Sequence, residues 1–227
     1  MLVKNWMSRN VVTIGVDNSM QDATGILKQH RFRMLPVVKK GKLVGIITDR
    51  DLKRASASDA TTLEIHELLY LLMEIKVKDI MTKNPISVPL EWTVEETAEL
   101  LLNNKISGAP VVDEKDSVVG VITQTDLFRV LISLTGFHAG GIQFAFKIKD
   151  YPGSIKELAD IIREFGGQMV SILTSYDRVP EGFRKVYIRM RHIDRLRLKS
   201  LEKRLMEKAV LLYIIDQREN RREFLKR

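Results

Sequence analysis

The chain of 227 residues contains no cysteine. That absence excludes disulfide staples, thiolate zinc sites, iron–sulfur clusters and cysteine nucleophiles together, and it fits a reducing compartment. Six prolines and 13 glycines are too few for a collagen-like or low-complexity polymer. Long apolar runs are missing too. The most apolar stretch, Leu68 to Ile75, is short and broken by Glu74, far below the ~20 residues a membrane helix needs. The opening Met1-Leu2-Val3-Lys4-Asn5-Trp6 carries no apolar signal core, so a cytoplasmic protein without membrane attachment is expected. Catalytic signatures are absent as well: there is no Gly-x-Gly-x-x-Gly, P-loop or nucleophile elbow. His30, His66, His138 and His192 have no partner at i,i+4. Neither a catalytic residue nor a metal site is expected.

At 44% hydrophobic and 29% charged residues, the composition is that of a globular chain with length for one large domain or two smaller ones. Charge divides it unevenly. Residues 1–140 hold 17 basic and 17 acidic side chains, whereas residues 141–227 hold 20 and 12, the whole surplus of +8. The halves are different modules.

The first half repeats. Met7-Ser8-Arg9-Asn10-Val11-Val12-Thr13-Ile14 lies over Met81-Thr82-Lys83-Asn84-Pro85-Ile86-Ser87-Val88 at an offset of 74, and Leu35-Pro36-Val37-Val38 over Ala109-Pro110-Val111-Val112 at the same offset. After one inserted residue in the following polar turn, Gly45-Ile46-Ile47-Thr48-Asp49-Arg50-Asp51-Leu52 lies over Gly120-Val121-Ile122-Thr123-Gln124-Thr125-Asp126-Leu127 at 75. Each copy reads β-α-β-β-α. Its first helix is capped by Ser19 or Thr93, with Ala23, Ile26 and Leu27, or Ala98, Leu101 and Leu102, on the apolar side. Gly41 supplies the turn between the two later strands. One copy is too small to bury both faces of its sheet, so the two are expected to pack as one pseudo-two-fold domain.

Leu-Pro-Val-Val and Gly-hydrophobic-hydrophobic-Thr-x-x-Asp, present twice at matched spacing, make residues 1–135 resemble a tandem pair of CBS motifs, the module named after cystathionine β-synthase. The repeats span about 1–60 and 76–135, with a spacer helix at 62–75. The resemblance implies a regulatory module that binds an adenine nucleotide of the AMP, ADP or ATP class in two clefts. It places Thr13, Arg33, Leu35, Pro36, Thr48 and Asp51 at the nucleotide in the first copy, and Ser87, Ser107, Ala109, Pro110, Thr123 and Asp126 in the second.

Spacing alone leaves two readings of Thr48-x-x-Asp51 and Thr123-x-x-Asp126. Thr at N-cap with an acid at N3 is a capping box, sufficient in itself to explain the pattern. The same geometry suits a ligand, because a helix N-terminus attracts phosphate and a carboxylate can accept both ribose hydroxyls. The CBS resemblance implies the second. His30, Arg31, Arg33, Lys53 and Arg54 surround the first cleft against Lys105 and Arg129 near the second, so the first is expected to prefer the more highly charged nucleotide. For Arg31 and Arg33 the alternative is solvated surface. The spacer segment from Leu63 to Met73 is apolar nearly all round and is expected to need cover, from the repeat interface or a second subunit.

Beyond the Gly-rich boundary at Thr135 to Gly141, residues 141–217 read β-α-β-β-α-β, the ferredoxin-like split βαβ order. Strands are expected at Ile142 to Ile148, Met169 to Thr174, Lys185 to Arg191 and Val210 to Ile215, with helices at Ser154 to Phe165 and Ile193 to Met206. Asp150-Tyr151-Pro152-Gly153, with Ile155 and Leu158 following, resembles the first loop of an ACT domain, a small-molecule regulatory module. That resemblance implies a small effector such as an amino acid at Asp150, Gly153, Ser154 and Gln168. It departs from the family at Gln168, where Asn is common; Pro152 and Gly153 also suit a plain turn and helix start. A CBS pair followed by ACT resembles the acetoin-utilisation protein B family. The fold class expected is α/β (α+β), and the function a non-catalytic, ligand-sensing regulator, a homodimer acting on an unnamed target protein.

The rival is a nucleic-acid-binding regulator using the basic C-terminal surface, with Arg218, Arg221, Arg222, Lys226 and Arg227 in a tail at 218–227. Glu219 and Glu223 are interspersed there and no strand face reads as rich in aromatics. A solvated helical tail is therefore expected, and nucleic acid is not.

Overall fold

The structure, a computed structural model, describes residues 1–59 and 73–225, with the side chains of 56–59 outside that description. The expected spacer helix at 62–75 lies outside the described residues except at its end, as do Lys226 and Arg227 of the tail. The chain divides into two compact units, Met1–Phe128 and Arg129–Arg227. No helix among the described residues is long and apolar enough to cross a membrane.

In the first unit, β1 (Ile14–Gly15) runs parallel to β2 (Met34–Lys39) through helix α1 (Met20–His30), and β2 turns back into β3 (Lys42–Thr48), which leads into α2 (Asp49–Asp59). The second copy repeats this with β5 (Val88–Pro89), α4 (Val94–Asn103), β6 (Gly108–Val112), β7 (Val118–Thr123) and α5 (Gln124–Leu134). Both first helices open on reciprocal caps: the Ser19 hydroxyl accepts from the Asp22 amide at 3.0 Å and the Thr93 hydroxyl from the Glu96 amide at 3.1 Å. Each closes two backbone donors that a helix start leaves open. Lys40 and Gly41, with φ of 50° and 80°, form the two-residue hairpin turn between β2 and β3. The inserted residue falls in the corresponding loop, where Asp113 accepts from the amides of Lys115 and Ser117 at 2.9 Å each.

The buried stripe of α1 is Met20, Ala23 and Leu27, and that of α4 is Val94, Thr97 and Leu101. These correspond at the constant offset of 74. The expectation that Leu102 faces the core is wrong: it is 75% exposed. Thr97 takes the place of Ala23, its hydroxyl satisfied by the Thr93 carbonyl at 2.9 Å.

The two copies exchange their leading segments. Val3 is buried in the core of the second copy beside Val88, Leu101 and Val111, and Val77 is buried in the core of the first beside Met20, Leu27 and Val37. Backbone bonds hold each in place: the Val3 amide donates to the Trp92 carbonyl and the Met20 amide to the Ile75 carbonyl, both at 2.8 Å. After α3 (Val77–Ile80), the strand β4 (Thr82–Lys83) adds to β3, while Ser8 bridges to Val121 on β7. Neither copy is complete without residues from the other, as expected of repeats too small to bury a core alone. At the equivalent positions Met34 and Gly108, the methionine methyl occupies space where a Cβ on Gly108 would come within 2.5 Å. A large residue has been matched to a small one across the pseudo-two-fold.

The second unit carries the antiparallel sheet β12-β11-β8-β10-β9. Its elements are β8 (Ile142–Lys149), α6 (Ser154–Glu164), β9 (Gln168–Ser175), β10 (Phe183–Arg191), α7 (Leu198–Met206), β11 (Val210–Asp216) and β12 (Arg221–Phe224). Phe144, Phe146, Ile188 and Met190 on one sheet face meet Leu158 and Ile162 of α6 and Leu201 and Leu205 of α7. Fully burying a side chain of this size contributes about 1.5–3 kcal/mol.

Two expectations fail here. The second helix begins at Leu198 rather than Ile193, because the Asp194 side chain accepts from the Leu196 amide at 2.9 Å and first closes a 3-10 turn at Arg195–Arg197. The tail is a strand, not a solvated helix: Arg221–Phe224 pairs with the outer edge of β11. Alternation explains the change. Arg221 turns toward the helices and meets the buried Glu202 at 3.2 Å, while Phe224 lies beside the Tyr213 ring at 6.0 Å on the other face.

Candidate functional site

The first copy gathers its predicted residues at one end of its sheet. Ile14 pairs with Val37, which sets Thr13 level with Pro36, and Met34 pairs with Thr48, which sets Arg33 beside the start of α2. The Asp49 amide donates to the Arg33 carbonyl at 3.2 Å and locks that relation. The second copy matches it: Val88 pairs with Val111, so Ser87 is level with Pro110, and the Gln124 amide donates to the Ser107 carbonyl at 2.9 Å. Leu35 and Ala109 are fully buried. Their side chains belong to the cores, so only their backbone faces the strand ends.

At both helix starts the Thr-x-x-Asp box is formed. In the first, Oδ2 of Asp51 accepts from the Thr48 amide at 2.9 Å and the Thr48 hydroxyl at 2.6 Å, and the Asp51 amide approaches that hydroxyl at 3.3 Å. In the second the distances are 2.9, 2.7 and 3.3 Å. One carboxylate oxygen therefore serves the cap in each copy. Among the described residues, Oδ1 of Asp51 accepts no hydrogen bond from the protein. The caps are built, and the first still has a charged acceptor to offer.

The two sites differ in charge and shape. Arg31 and Arg33 are exposed and neither forms an ion pair among the described residues, whereas Lys53 is 3.7 Å from Asp49. Arg31, the C-cap of α1, and its counterpart Lys105, one residue past the Asn104 cap of α4, both have positive φ, 55° and 54°. Between the arginines stands Phe32, 40% exposed and stacked on His30 with ring centroids 5.2 Å apart; Ile106 holds that position in the second copy. Sequence reasoning missed Phe32, although its place in the repeat alignment could have flagged it. Asp51 is half-buried and Asp126 is only 3% exposed.

The second unit separates the residues expected at its effector site. Asp150 and Gly153 follow β8, and Ser154 opens α6. Gln168 starts β9 and pairs with Arg191, at the far end of β10 from Phe183 and the Asp150 loop. Eight strand steps, about 26 Å, lie between. Within one chain Gln168 does not join the others; its amide oxygen accepts from Arg191 at 3.0 Å. In its place stands Arg184 of β10, which sequence spacing does not reveal because it is 30 residues from Ser154. Its guanidinium donates to the buried Ser154 hydroxyl at 2.9 Å, and its Nε lies 3.2 Å from Asp150 without the alignment of a hydrogen bond. Gly153 has φ +96° and open space around a would-be Cβ. Conformation, not crowding, calls for glycine there.

Among the described residues no group of three or more His, Asp or Glu could hold a metal ion. The family model of the CBS domain matches residues 3–58 and 77–133. A CBS domain-containing protein of Dictyostelium discoideum is 37% identical over 134 residues, 59% of this chain and 92% of that protein. Among solved structures, the CBS domain pair of protein MJ0100 in complex with 5′-methylthioadenosine and S-adenosyl-L-methionine is 33% identical, covering 58% of this chain and 95% of that one, with a TM-score of 0.50. A structure described as an acetoin utilization protein (AcuB) from Vibrio cholerae is 27% identical over 61% of this chain and 96% of its own, with a TM-score of 0.51.

Proposed function

From the premise that this chain belongs to the CBS-domain family, we propose that it is a non-catalytic regulator whose paired CBS repeats bind adenosine-containing ligands at Thr48/Asp51 and Thr123/Asp126. The observation that carries this reading is the duplicated helix start, with an acid capping its own threonine and, at Asp51, a second carboxylate oxygen that accepts nothing from the described residues. Ribose hydroxyls can donate to that oxygen while phosphate meets the helix N-terminus and Arg33. The complex of the MJ0100 pair with two adenosine derivatives supports the ligand class. Thr13, Pro36, Ser87, Ser107 and Pro110 line the strand ends beside these boxes. With its exposed arginines the first cleft favours the more highly charged ligand. Calorimetric titration of the full chain with AMP, ATP, 5′-methylthioadenosine and S-adenosyl-L-methionine tests this, and no heat of binding from any of them would refute it.

The second unit we read as an ACT-like module with ferredoxin-like order, so that the chain as a whole resembles the acetoin-utilisation arrangement. The strand order β11-β8-β10-β9 and the Asp150–Gly153 loop before α6 support it. A small carboxylate would meet Arg184 and the amides at the start of α6. A thermal-shift screen of amino acids should give a stabilised melt in the parent and none in Arg184→Gln; no shift in either leaves this unit without an effector. We also read the chain as a homodimer, since α5 leaves Phe128, Leu131 and Leu134 exposed at 61, 56 and 43%. Light scattering should give twice the 26.1 kDa chain mass; the monomer mass at micromolar concentration would end that reading.

A further inference from the structure

The sheet face of the second unit that turns away from α6 and α7 carries a row of aromatic rings, and all its charged strand positions are cations, which the sequence did not disclose. Tyr187, Tyr213 and Phe224 form a row across it, with ring centroids 6.4 and 6.0 Å apart. Ala145, paired with both tyrosines, is the floor between them. Phe224 is 69% exposed. Alternation puts Lys147, Lys149, Lys185, Arg189 and Arg222 on the same face, and no strand position there carries an acid. Arg189 is buried and held by the Thr135 carbonyl and the amides of Gln143 and Gln217 at 2.8–3.0 Å. Lys147, Lys149, Lys185 and Arg222 form no ion pair among the described residues.

Thr135 and Phe137 cover this face at Arg189; we infer that the remaining part binds single-stranded nucleic acid, bases stacking on Tyr187, Tyr213 and Phe224 and phosphates meeting Lys147, Lys185 and Arg222. The ring planes are tilted to one another by 36° and 54°, so each offers its own face to a base. Stacking of this kind accepts any base, and cations around the rings neutralise the backbone. A duplex keeps its bases stacked on each other and cannot use the rings. A second copy seated on this face is the alternative occupant. An isologous contact would set like cations against each other, with no acid at any strand position of either face to pair them.

The test is fluorescence anisotropy of the full chain with labelled oligothymidylate and oligouridylate of about 20 nucleotides, spanning one to a few sites of this size. Binding is expected at about 50 mM salt and should weaken as salt rises. Phe224→Ala is expected to weaken it about tenfold while melting is unchanged, since stacking supplies the affinity. Arg222→Glu should flatten the salt dependence. The two oligomers decide between DNA and RNA. The inference is overturned if neither oligomer binds, or if Phe224→Ala leaves affinity unchanged, which makes the surface a generic polycation. A change of the Phe224→Ala mass from dimer to monomer without oligonucleotide binding would instead assign the face to a second copy.

Discussion

Replacing Asp51 by Asn separates the cap from the ligand contact. In the parent, Oδ2 accepts from the Thr48 amide and hydroxyl at 2.9 and 2.6 Å. An asparagine oxygen can accept both, but as neutral bonds in place of charge-assisted ones, and the helix N-terminus loses a nearby negative charge. Together these cost about 1 kcal/mol of stability, a modest shift in melting. Ligand binding loses more. A ribose that donates two hydroxyls to Asp51 would face an amide that can accept only at its oxygen, while the NH2 group presents donors to donors. The loss is roughly 1.5–3 kcal/mol, or roughly ten- to a hundredfold in Kd. Calorimetry well below the melting temperature reads this without interference from the stability change. Asp126→Asn in the second copy, where the aspartate is only 3% exposed and caps Thr123 in the same way, is the internal comparison for the cap. If Asp51→Asn binds adenosine ligands with the parent's Kd, the box is a helix cap and nothing more.

The exchanged leading segments make a second prediction: Val3→Ala, which empties a fully buried site in the core of the opposite copy, should cost roughly 1.5–3 kcal/mol of unfolding free energy in denaturant titration. A cost near zero would mean that the segment is not docked there. A third concerns Asp216, 1% exposed, whose carboxylate is bound by Arg195 and accepts from the amides of Arg218 and Glu219 at 3.0 and 3.3 Å. Burial alone would raise its pKa, yet the Arg195 hydrogen bond, the Glu219 amide and the nearby charge hold it below the ordinary carboxylate value of 3.8. A depressed folded-state pKa gives stability that is fully present above the unfolded value and is lost as pH falls through the folded one. Asp216→Asn should therefore destabilise the second unit by roughly 2 kcal/mol at neutral pH, and the difference from the parent should shrink in melts taken progressively below about pH 4. A gap that stays constant into acid would refute the assignment.

The repeat, its caps and its turn were legible because they are local. Ser19 and Thr93 bond to residues three places on, and Lys40-Gly41 sets its own backbone, so short sequence patterns contain the cause. The Thr-x-x-Asp boxes belong to the same class; sequence identified them as helix starts, and resemblance added a ligand. Apolarity alone misplaces the stripe of α4: at the offset of 74 it is Thr97, not the more apolar Ala98, that stands opposite Ala23. What only the tertiary structure decided are relations between distant residues. Val3 and Val77 each look like members of their own copy, and nothing within reach along the chain reveals that each completes the other's core. Arg221-Arg222-Glu223-Phe224 is polar enough to pass for a solvated helix, and becomes a strand because β11 offers it an unpaired edge. The same pairing puts Phe224 beside Tyr213 and, across Ala145, in line with Tyr187. Those three rings come from three strands that chain order scatters. Strand pairing brings them to one face, because in a sheet the neighbour is set by backbone hydrogen bonds and not by sequence distance.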